Sequence, residues 1–568
     1  MALLALLACA VGEDSGRGSP GESIAPDSHA ESAADSDGCL DPQPWFRDAD
    51  GDGFGIASDT ISACAAPPGY VADATDCDDA HAEASPGATE RLTDGVDDDC
   101  DGALARSPVD SLPTWSARGS QAGDVTEVWV GTSVGSADIT GDGTVDLVVG
   151  TWASVATEGG FRQAGALVFK GPLLDSTAGE AISLASAVLT GDVGDGFALV
   201  CPTGDLDGDG IGDLVVGAPF HDGYTGAAYV VRGPIEGWRD LAADQALLGE
   251  GANAYFGQCT APGDVDGDGL DDLLISAPNT EQFRGAAYLF RGPVSVEDAT
   301  DAETIFRGEV NDEAVGNSVV GLGDLDGDGL PDFGITNYNP PDSIGVSAWL
   351  IGDPLPGVMH PRDVGVTVRY DVSGDGWAEG MTLNRLGDVT GDGYADVGFG
   401  VGQCQQSNLI AVMDGPFPTS GQFDLTTQYT TLLYSNNSGV KSFTSFATGL
   451  GDWDGDGDGS GDLAIGNPYY STPEAVAAYG CTEEYGGCFE GAVFLVAGPL
   501  PVGAIDLETE SDWLYGIAEH GELGASLAGG GDLDDDGFPD LAMGAPYVDS
   551  GALSNAGMAF VLFGGGQP

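Results

Sequence analysis

Basic side chains are nearly missing. The 568 residues include 16 lysines and arginines against 92 aspartates and glutamates, for a formal net charge of −76, and the only lysines are Lys170 and Lys441. A chain this acidic repels nucleic-acid phosphates and anionic lipid heads, which excludes both as partners held by charge. Histidine is scarce too. His221, His360 and His520 share no spacing, and no phosphate loop, His-Glu-x-x-His or Cys-x-x-Cys pair occurs, so no catalytic constellation is visible and the chain reads as a non-enzyme. Long apolar runs are also lacking. Residues 1–9 open with an apolar stretch, Met1 to Ala8, too short to span a bilayer, which reads as part of a secretory signal. Residues 10–38 have almost no large apolar side chain and read as a flexible tether.

Glycine and aspartate are what the chain has in abundance. Ninety-three glycines and 31 prolines favour short strands joined by turns over long helices, and a hydrophobic content of 42% argues against the disorder that the net charge alone would suggest. The stretch Asp205-Leu206-Asp207-Gly208-Asp209-Gly210-Ile211-Gly212-Asp213, followed by the apolar run Leu214 to Ala218, recurs seven times. Carboxylates at positions 1, 3, 5 and 9 of a nine-residue loop can converge on one Ca²⁺, which takes about six to eight oxygen ligands in loose geometry. Glycine at position 6 permits the sharp turn that presents position 7 as a carbonyl ligand, and the apolar residue at position 2 points inward.

The candidate ligands are Asp138, Thr140, Asp142 and Asp146; Asp205, Asp207, Asp209 and Asp213; Asp264, Asp266, Asp268 and Asp272; and Asp324, Asp326, Asp328 and Asp332. Asp388, Thr390, Asp392 and Asp396 make the fifth set, and Asp532, Asp534, Asp536 and Asp540 the seventh. The two threonine loops have one charge fewer and should bind more weakly. The sixth loop is longer and fits two registers: Asp454, Asp456, Asp458 and Asp462 keep the standard spacing with Asp452 outside them, whereas a start at Asp452 keeps Trp453 at the apolar second position. The first register is preferred. The threonine loops and the N-terminal unit put the expected calcium content at about five to nine ions.

The loops begin at intervals of 67, 59, 60, 64, 64 and 80 residues, one supersecondary unit per repeat. In the third, Gly257 to Ala261, Leu273 to Ala277, Ala286 to Arg291 and Glu303 to Arg307 read as four antiparallel strands, the make-up of a propeller blade. Phe256-Gly257, Ser276-Ala277-Pro278 and Arg291-Gly292-Pro293, with the acidic loop between the first two, resemble the FG-GAP repeats of integrin α-subunits. The resemblance covers residues 108–568 and implies an all-β, seven-bladed β-propeller of four-stranded blades that serves cell or matrix adhesion. The last repeat runs out after its third strand, and Pro113 to Gly119 is placed to supply the fourth and close the ring.

Residues 39–102 read as a separate small unit with Cys39, Cys64, Cys77 and Cys100, which allow three pairings. Asp48, Asp50, Asp52 and Asp59 have the spacing of an EF-hand loop without its helices, and Asp76, Asp78, Asp79, Asp94 and Asp97 to Asp101 can hold another ion. Asp48 to Gly55, Pro68 to Val71, Asp76 to Asp79 and Asp99 to Gly102 resemble a short metal-binding motif of secreted bacterial proteins. Some members are associated with copper, but the clustered donors here are hard oxygens and the one nearby imidazole is His81.

Leu6-Leu7-Ala8-Cys9 resembles a bacterial lipobox, which implies lipidation of Cys9 and placement in the cell envelope; a plain signal peptide, leaving an extracellular protein, is the alternative. Cys201 and Cys259 either bridge neighbouring strands or are two small buried residues. Cys481 and Cys488 are disulfide candidates within the insertion that lengthens the sixth interval, and Cys404 is left over as a free thiol. That insertion, with Tyr469, Tyr470, Tyr479 and Tyr485, is expected on the rim away from the acidic loops as a binding face. The reading is a monomeric, exported binding module with structural calcium, whose partner is an extracellular protein, glycan or surface polymer. The alternative is a secreted hydrolase, since FG-GAP repeats also occur in a phospholipase.

Overall fold

The computed structural model describes residues 42–565 except 80–81, 83, 87, 89–96, 99, 101–103, 110–113, 120–128, 158–159, 175–177, 193–194, 197–198, 339–344, 353, 372–377, 404–408, 436–445, 456, 473–487, 517, 519 and 550–553. Cys9, the tether, Cys39, His81, Cys404 and Cys481 lie outside the described residues. The chain divides into two compact units, one of residues 1–91 and 96–105 and one of residues 92–95 and 106–568. Among the described residues no helix is long and apolar enough to cross a membrane.

The smaller unit is a three-stranded antiparallel sheet with Gln43–Arg47 between Ile56–Ala63 and Tyr70–Val71. So short a sheet has little apolar surface to bury, and a Cys77–Cys100 disulfide fastens the chain that follows it. Cys64 is also disulfide-bonded.

The larger unit repeats one plan. Gln258–Gly263, Asp272–Ala277, Ala286–Phe290 and Thr304–Arg307 pair antiparallel in chain order, within a few residues of the expected strands. Asp272–Ala277 is buried at every position, as a strand sandwiched between neighbouring sheets must be. The cores accordingly lie between sheets. Val215, Val230 and Leu247 of one sheet pack with Ile275, Tyr288 and Phe290 of the next.

The first strands of successive sheets meet in order. Gly135 lies against Pro202, Cys201 is disulfide-bonded to Cys259, Gly321 touches Pro262, Gly449 touches Leu386, Gly529 touches Leu450, and Gly531 returns to Ser136, while Gly334 of a second strand touches Leu383 of the next sheet's first strand. The approach at Gly449 is so close that a Cβ there would stand 1.8 Å from the Leu386 carbonyl oxygen. The sheets therefore close on themselves as an all-β propeller. Trp115–Arg118 pairs antiparallel with Met558–Leu562, supplying the strand that the last repeat lacks.

One feature has no counterpart in the four-strand plan. Gly237–Asp240, from the connection between the third and fourth strands of one sheet, runs parallel to the outer strand Ala187–Gly191 of the sheet before it. Gly357–Met359, Gly421–Asp424, Gly503–Asp506 and Ala178–Glu180 do the same to their preceding sheets, and Arg106–Pro108 does so for Asp512–Tyr515. Outer edges that would otherwise offer unpaired backbone groups are covered.

Candidate metal centres

In each acidic loop the backbone wraps around the first aspartate. Asp205 accepts from the Gly208, Asp209 and Gly210 N–H groups at 2.6, 3.1 and 2.7 Å, and Asp264 accepts from Gly267, Asp268 and Gly269 at 2.7, 3.0 and 2.8 Å. Gly208 and Gly210 hold φ of +85° and +86°, a conformation that costs glycine little. In the seventh loop Asp535 takes that conformation at φ 65°.

The ninth-position aspartate is anchored from the other side. Asp213 accepts from the Leu206 N–H at 3.1 Å and the Gly233 N–H at 2.9 Å, and the second-position side chain is buried beneath the loop. The same bond joins Ile139 to Asp146, Val265 to Asp272, Leu325 to Asp332, Val389 to Asp396 and Leu533 to Asp540. Oxygens of Asp205, Asp207 and Asp213 gather within 4.8 Å of one another, as do those of Asp264, Asp266 and Asp272.

Buried carboxylates in like-charged company resist ionisation. Burial, first of all, pushes Asp272 up to about 6, Asp332 to about 7, Asp396 to about 6 and Asp540 to about 7. A cation bound among these oxygens would remove that penalty, and an all-oxygen donor set suits a hard ion. Residues at positions 1, 3, 5 and 9 would hold it.

The loops are not equivalent. Lys170 meets Asp142 at 3.0 Å, Arg232 meets Asp213 at 2.9 Å and Arg291 meets Asp266 at 3.0 Å. By strand register the corresponding residues of the later sheets are Gly352, Asp414, Ala497 and Phe563, none of them basic. In the first loop the Thr140 hydroxyl donates to Asp146 at 3.3 Å, so threonine partly satisfies the carboxylate that a metal would otherwise engage.

The preferred register of the sixth loop is corrected. Trp453 is buried at 2% exposure and its N–H donates to Asp462 at 2.8 Å, the bond made by position 2 elsewhere. Asp452 is therefore position 1 and Asp454 position 3, while Asp458, accepting from Ser460 at 2.7 Å, occupies position 5 and Asp462 position 9. The two additional residues fall between positions 3 and 5. Asp456 lies outside the described residues.

In the smaller unit, oxygens of Asp48, Asp50 and Asp52 lie within 4.8 Å of one another, and so do those of Asp50, Asp76 and Asp79. Asp59 is elsewhere. It sits in the strand Ile56–Ala63 and meets Arg47 at 3.5 Å, because the chain goes straight into a sheet rather than curling back as an EF-hand loop does.

Of the four tyrosines expected on a binding face, Tyr470 is corrected. Tyr470 is buried, packed edge-on to Phe494 and Trp513 at 5.6 and 5.2 Å. Tyr479 and Tyr485 lie outside the described residues, and Cys488 is disulfide-bonded. Sequence reasoning missed a row of aromatics at the strand ends away from the acidic loops. Tyr547, Trp129, Trp152 and Phe220 follow one another at centroid spacings of 5.9, 5.0 and 5.5 Å, and Phe220 meets Tyr224 and Tyr255, which stack at 5.3 Å. The available signal was an aromatic directly after Ala218-Pro219 and Ala545-Pro546.

A Gly-x-Ser-x-Gly spacing does occur at Gly131 to Gly135, but it leads into the strand Val134–Ala137 rather than the helix a nucleophile elbow requires, and the Ser133 hydroxyl accepts from the Val200 N–H. His360 pairs with buried Glu313 at 2.7 Å.

Comparison with known proteins agrees with this geometry. The FG-GAP repeat model matches residues 200–231, 256–290 and 523–562, and a metal-binding motif model, Cu-binding_MopE, matches residues 76–105. Integrin alpha-PS2 of Drosophila melanogaster is 32% identical over 217 residues, 36% of this chain and 15% of the relative. Integrin alpha-X of Homo sapiens is 35% identical over 158 residues, 26% of this chain and 14% of the relative, and integrin alpha-3 of Mus musculus is 32% identical over 126 residues, 22% and 12%. The matches thus span 15% or less of each of these relatives' length.

Proposed function

We propose that this chain, with its FG-GAP repeats and metal-binding motif, is an exported seven-bladed propeller that holds about five to nine structural calcium ions and binds an extracellular protein, glycan or surface polymer through the rim away from its acidic loops. The observation that carries the reading is the segregation of chemistry between the two ends of the strands. Acidic loops join first to second strands, whereas Trp129, Trp152, Phe220, Tyr255 and Tyr547 stand at the other ends in one aromatic row, with Tyr224 45% exposed. Aromatic side chains give large contact area at low entropic cost, which suits recognition.

Calcium is structural in this reading, because each donor set comes from one local loop with little room for substrate. Residues 1–9 direct export with Cys9 as the lipid anchor, residues 10–38 are the tether, residues 39–102 the small metal-binding unit, and residues 108–568 the propeller, which acts as a monomer and without catalysis. The test is a glycan array and a panel of purified envelope polymers probed with the pure chain and with Trp152→Ala, Tyr255→Ala and Tyr547→Ala variants. Binding lost in the variants while melting is retained supports the reading. Binding that survives all three moves the ligand off this rim, and turnover of a lipid or glycan ester would favour the hydrolase instead.

A further inference from the structure

The Asp48–Gly53 loop of the smaller unit turns as the propeller loops do. Gly51 and Gly53 have φ of +88° and +101°, the Gly51 N–H donates to Asp48 at 2.7 Å, and the Phe54 N–H donates to Asp52 at 2.8 Å. The matching bonds in the second propeller loop are Gly208 to Asp205 at 2.6 Å and Ile211 to Asp209 at 2.9 Å. Counting from Asp48, position 9 is Ile56, whose side chain has no oxygen to give.

Another segment stands beside it. Ile56 is bridged in parallel to Asp76, whose N–H donates to the Gly55 carbonyl at 3.3 Å. Asp76 is 7% exposed, close to the 4–5% of the ninth-position aspartates Asp332 and Asp462. One Asp76 oxygen accepts from the Asp78 N–H at 2.8 Å, and the other is buried with no hydrogen-bond partner. The Oδ2 atoms of Asp50 and Asp52 are buried and unpartnered in the same way. Three such oxygens from two stretches of chain are strongly unfavourable together unless a cation lies among them.

We propose that Asp48, Asp50, Asp52, Asp76 and Asp79 hold a single hard divalent cation, Ca²⁺, with Asp76 supplying from a distant segment the carboxylate that each propeller loop supplies from its own ninth position. Asp79 is held in place by the Ala49 N–H and shares the group with Asp50 and Asp76. Cys77 and Cys100 flank Asp76, but they are joined to each other, so this pair contributes no thiolate and the donors are oxygens, which disfavours copper. The ion then ties this segment to the loop ahead of the strand Ile56–Ala63, while the disulfide ties it to Cys100. The site is independent of the propeller loops and stands or falls without them.

The test uses the full chain. Calcium per chain is counted by elemental analysis after gel filtration for the parent and for Asp50→Asn, Asp76→Asn, the double variant and Asp59→Asn. Asp50→Asn, Asp76→Asn and the double variant should each lose the same single ion, and Asp59→Asn none. Loss in Asp59→Asn but not in Asp76→Asn would restore a local EF-hand-like site and overturn the proposal. Two ions lost from the double variant, or none, would also overturn it, as would retention of Cu²⁺ in preference to Ca²⁺. Trypsin cleavage after Arg47 supplies a second readout. Calcium should slow it at least tenfold in the parent and in Asp59→Asn but not in Asp76→Asn, while non-reducing peptide mapping shows the Cys77–Cys100 link intact in all three. Equal protection in Asp76→Asn would sink the idea even if stoichiometry were ambiguous.

Discussion

Burial pushes the Glu522 carboxyl up to about 7 from its ordinary 4.5, and the residue lies close enough to Tyr469 and Tyr547 to raise theirs after burial has done so. Below the unfolded value Glu522 is protonated in both states and costs nothing; above the folded value it is ionised in both and its burial penalty is fully present. Stability should therefore fall as pH rises from about 4.5 to 7. Glu522→Gln should melt with the parent at pH 4 and be more stable at pH 8 by roughly 2 kcal/mol, and a pH-independent difference would count against it. A buried side chain likewise decided the sixth loop. Spacing alone admitted two registers, since Asp452 and Asp454 are two residues apart, and the burial of Trp453 with its N–H bond to Asp462 separates them. Trp453→Ala should cost about 3–5 kcal/mol, read as a lowered denaturation midpoint with an unchanged slope. What one sequence does show is ligand spacing; what it hides is which distant residue fills a missing position, as Asp76 does beside Ile56.

The segment Arg106–Arg118 does two jobs at the element scale. Its first part covers the edge strand Asp512–Tyr515, and its second, Trp115–Arg118, completes the last sheet with Trp115 only 3% exposed. Deleting residues 108–120 should lower the melting temperature or cause aggregation, while deleting 10–38 should change neither; equal melting of the two variants would refute the closure. The fourth strand was legible because Thr114 to Gly119 echoes the pattern of Thr304 to Gly308. The edge-covering strands were not. Pieces such as Gly357–Met359 and Gly421–Asp424 are three or four residues long, too short for any alternation, and their placement follows from the neighbouring sheet. The Cys201–Cys259 link, left open by sequence, joins the first strands of two sheets 58 residues apart. Chain-entropy estimates put a bridge of that span at about 4 kcal/mol, so the double Cys→Ser variant should unfold earlier in denaturant by up to that amount.

For the whole molecule, the proposed calcium sites would link folding to the ion. Each site saturated at about 100 times its Kd adds about 2.7 kcal/mol, so melting should climb with free Ca²⁺ and fall on chelation, and a curve indifferent to EDTA would remove the metal assignment. Chelation should not loosen the loops equally. Hydrogen exchange should rise most in the loops at Asp324, Asp388 and Asp532, and least where Lys170, Arg232 and Arg291 already stand as counter-charges. Several loops are also fastened to the next sheet through their second positions. Leu173 donates to the Leu533 carbonyl at 2.6 Å, Ile235 to Ile139 at 2.9 Å, Phe417 to Leu325 at 2.8 Å, Leu500 to Val389 at 2.8 Å and Gly565 to Trp453 at 2.8 Å. Five of the sheets thus grip the loop of the sheet before them, and the Leu173 bond carries the grip across the join between last and first. A load applied to one sheet is passed along this circumference as hoop tension rather than borne by a single seam, in the way a barrel's staves share strain through its band. Pulled from a single point, the ring should resist up to one sharp force peak and then give way at once, instead of shedding its sheets singly in a sawtooth.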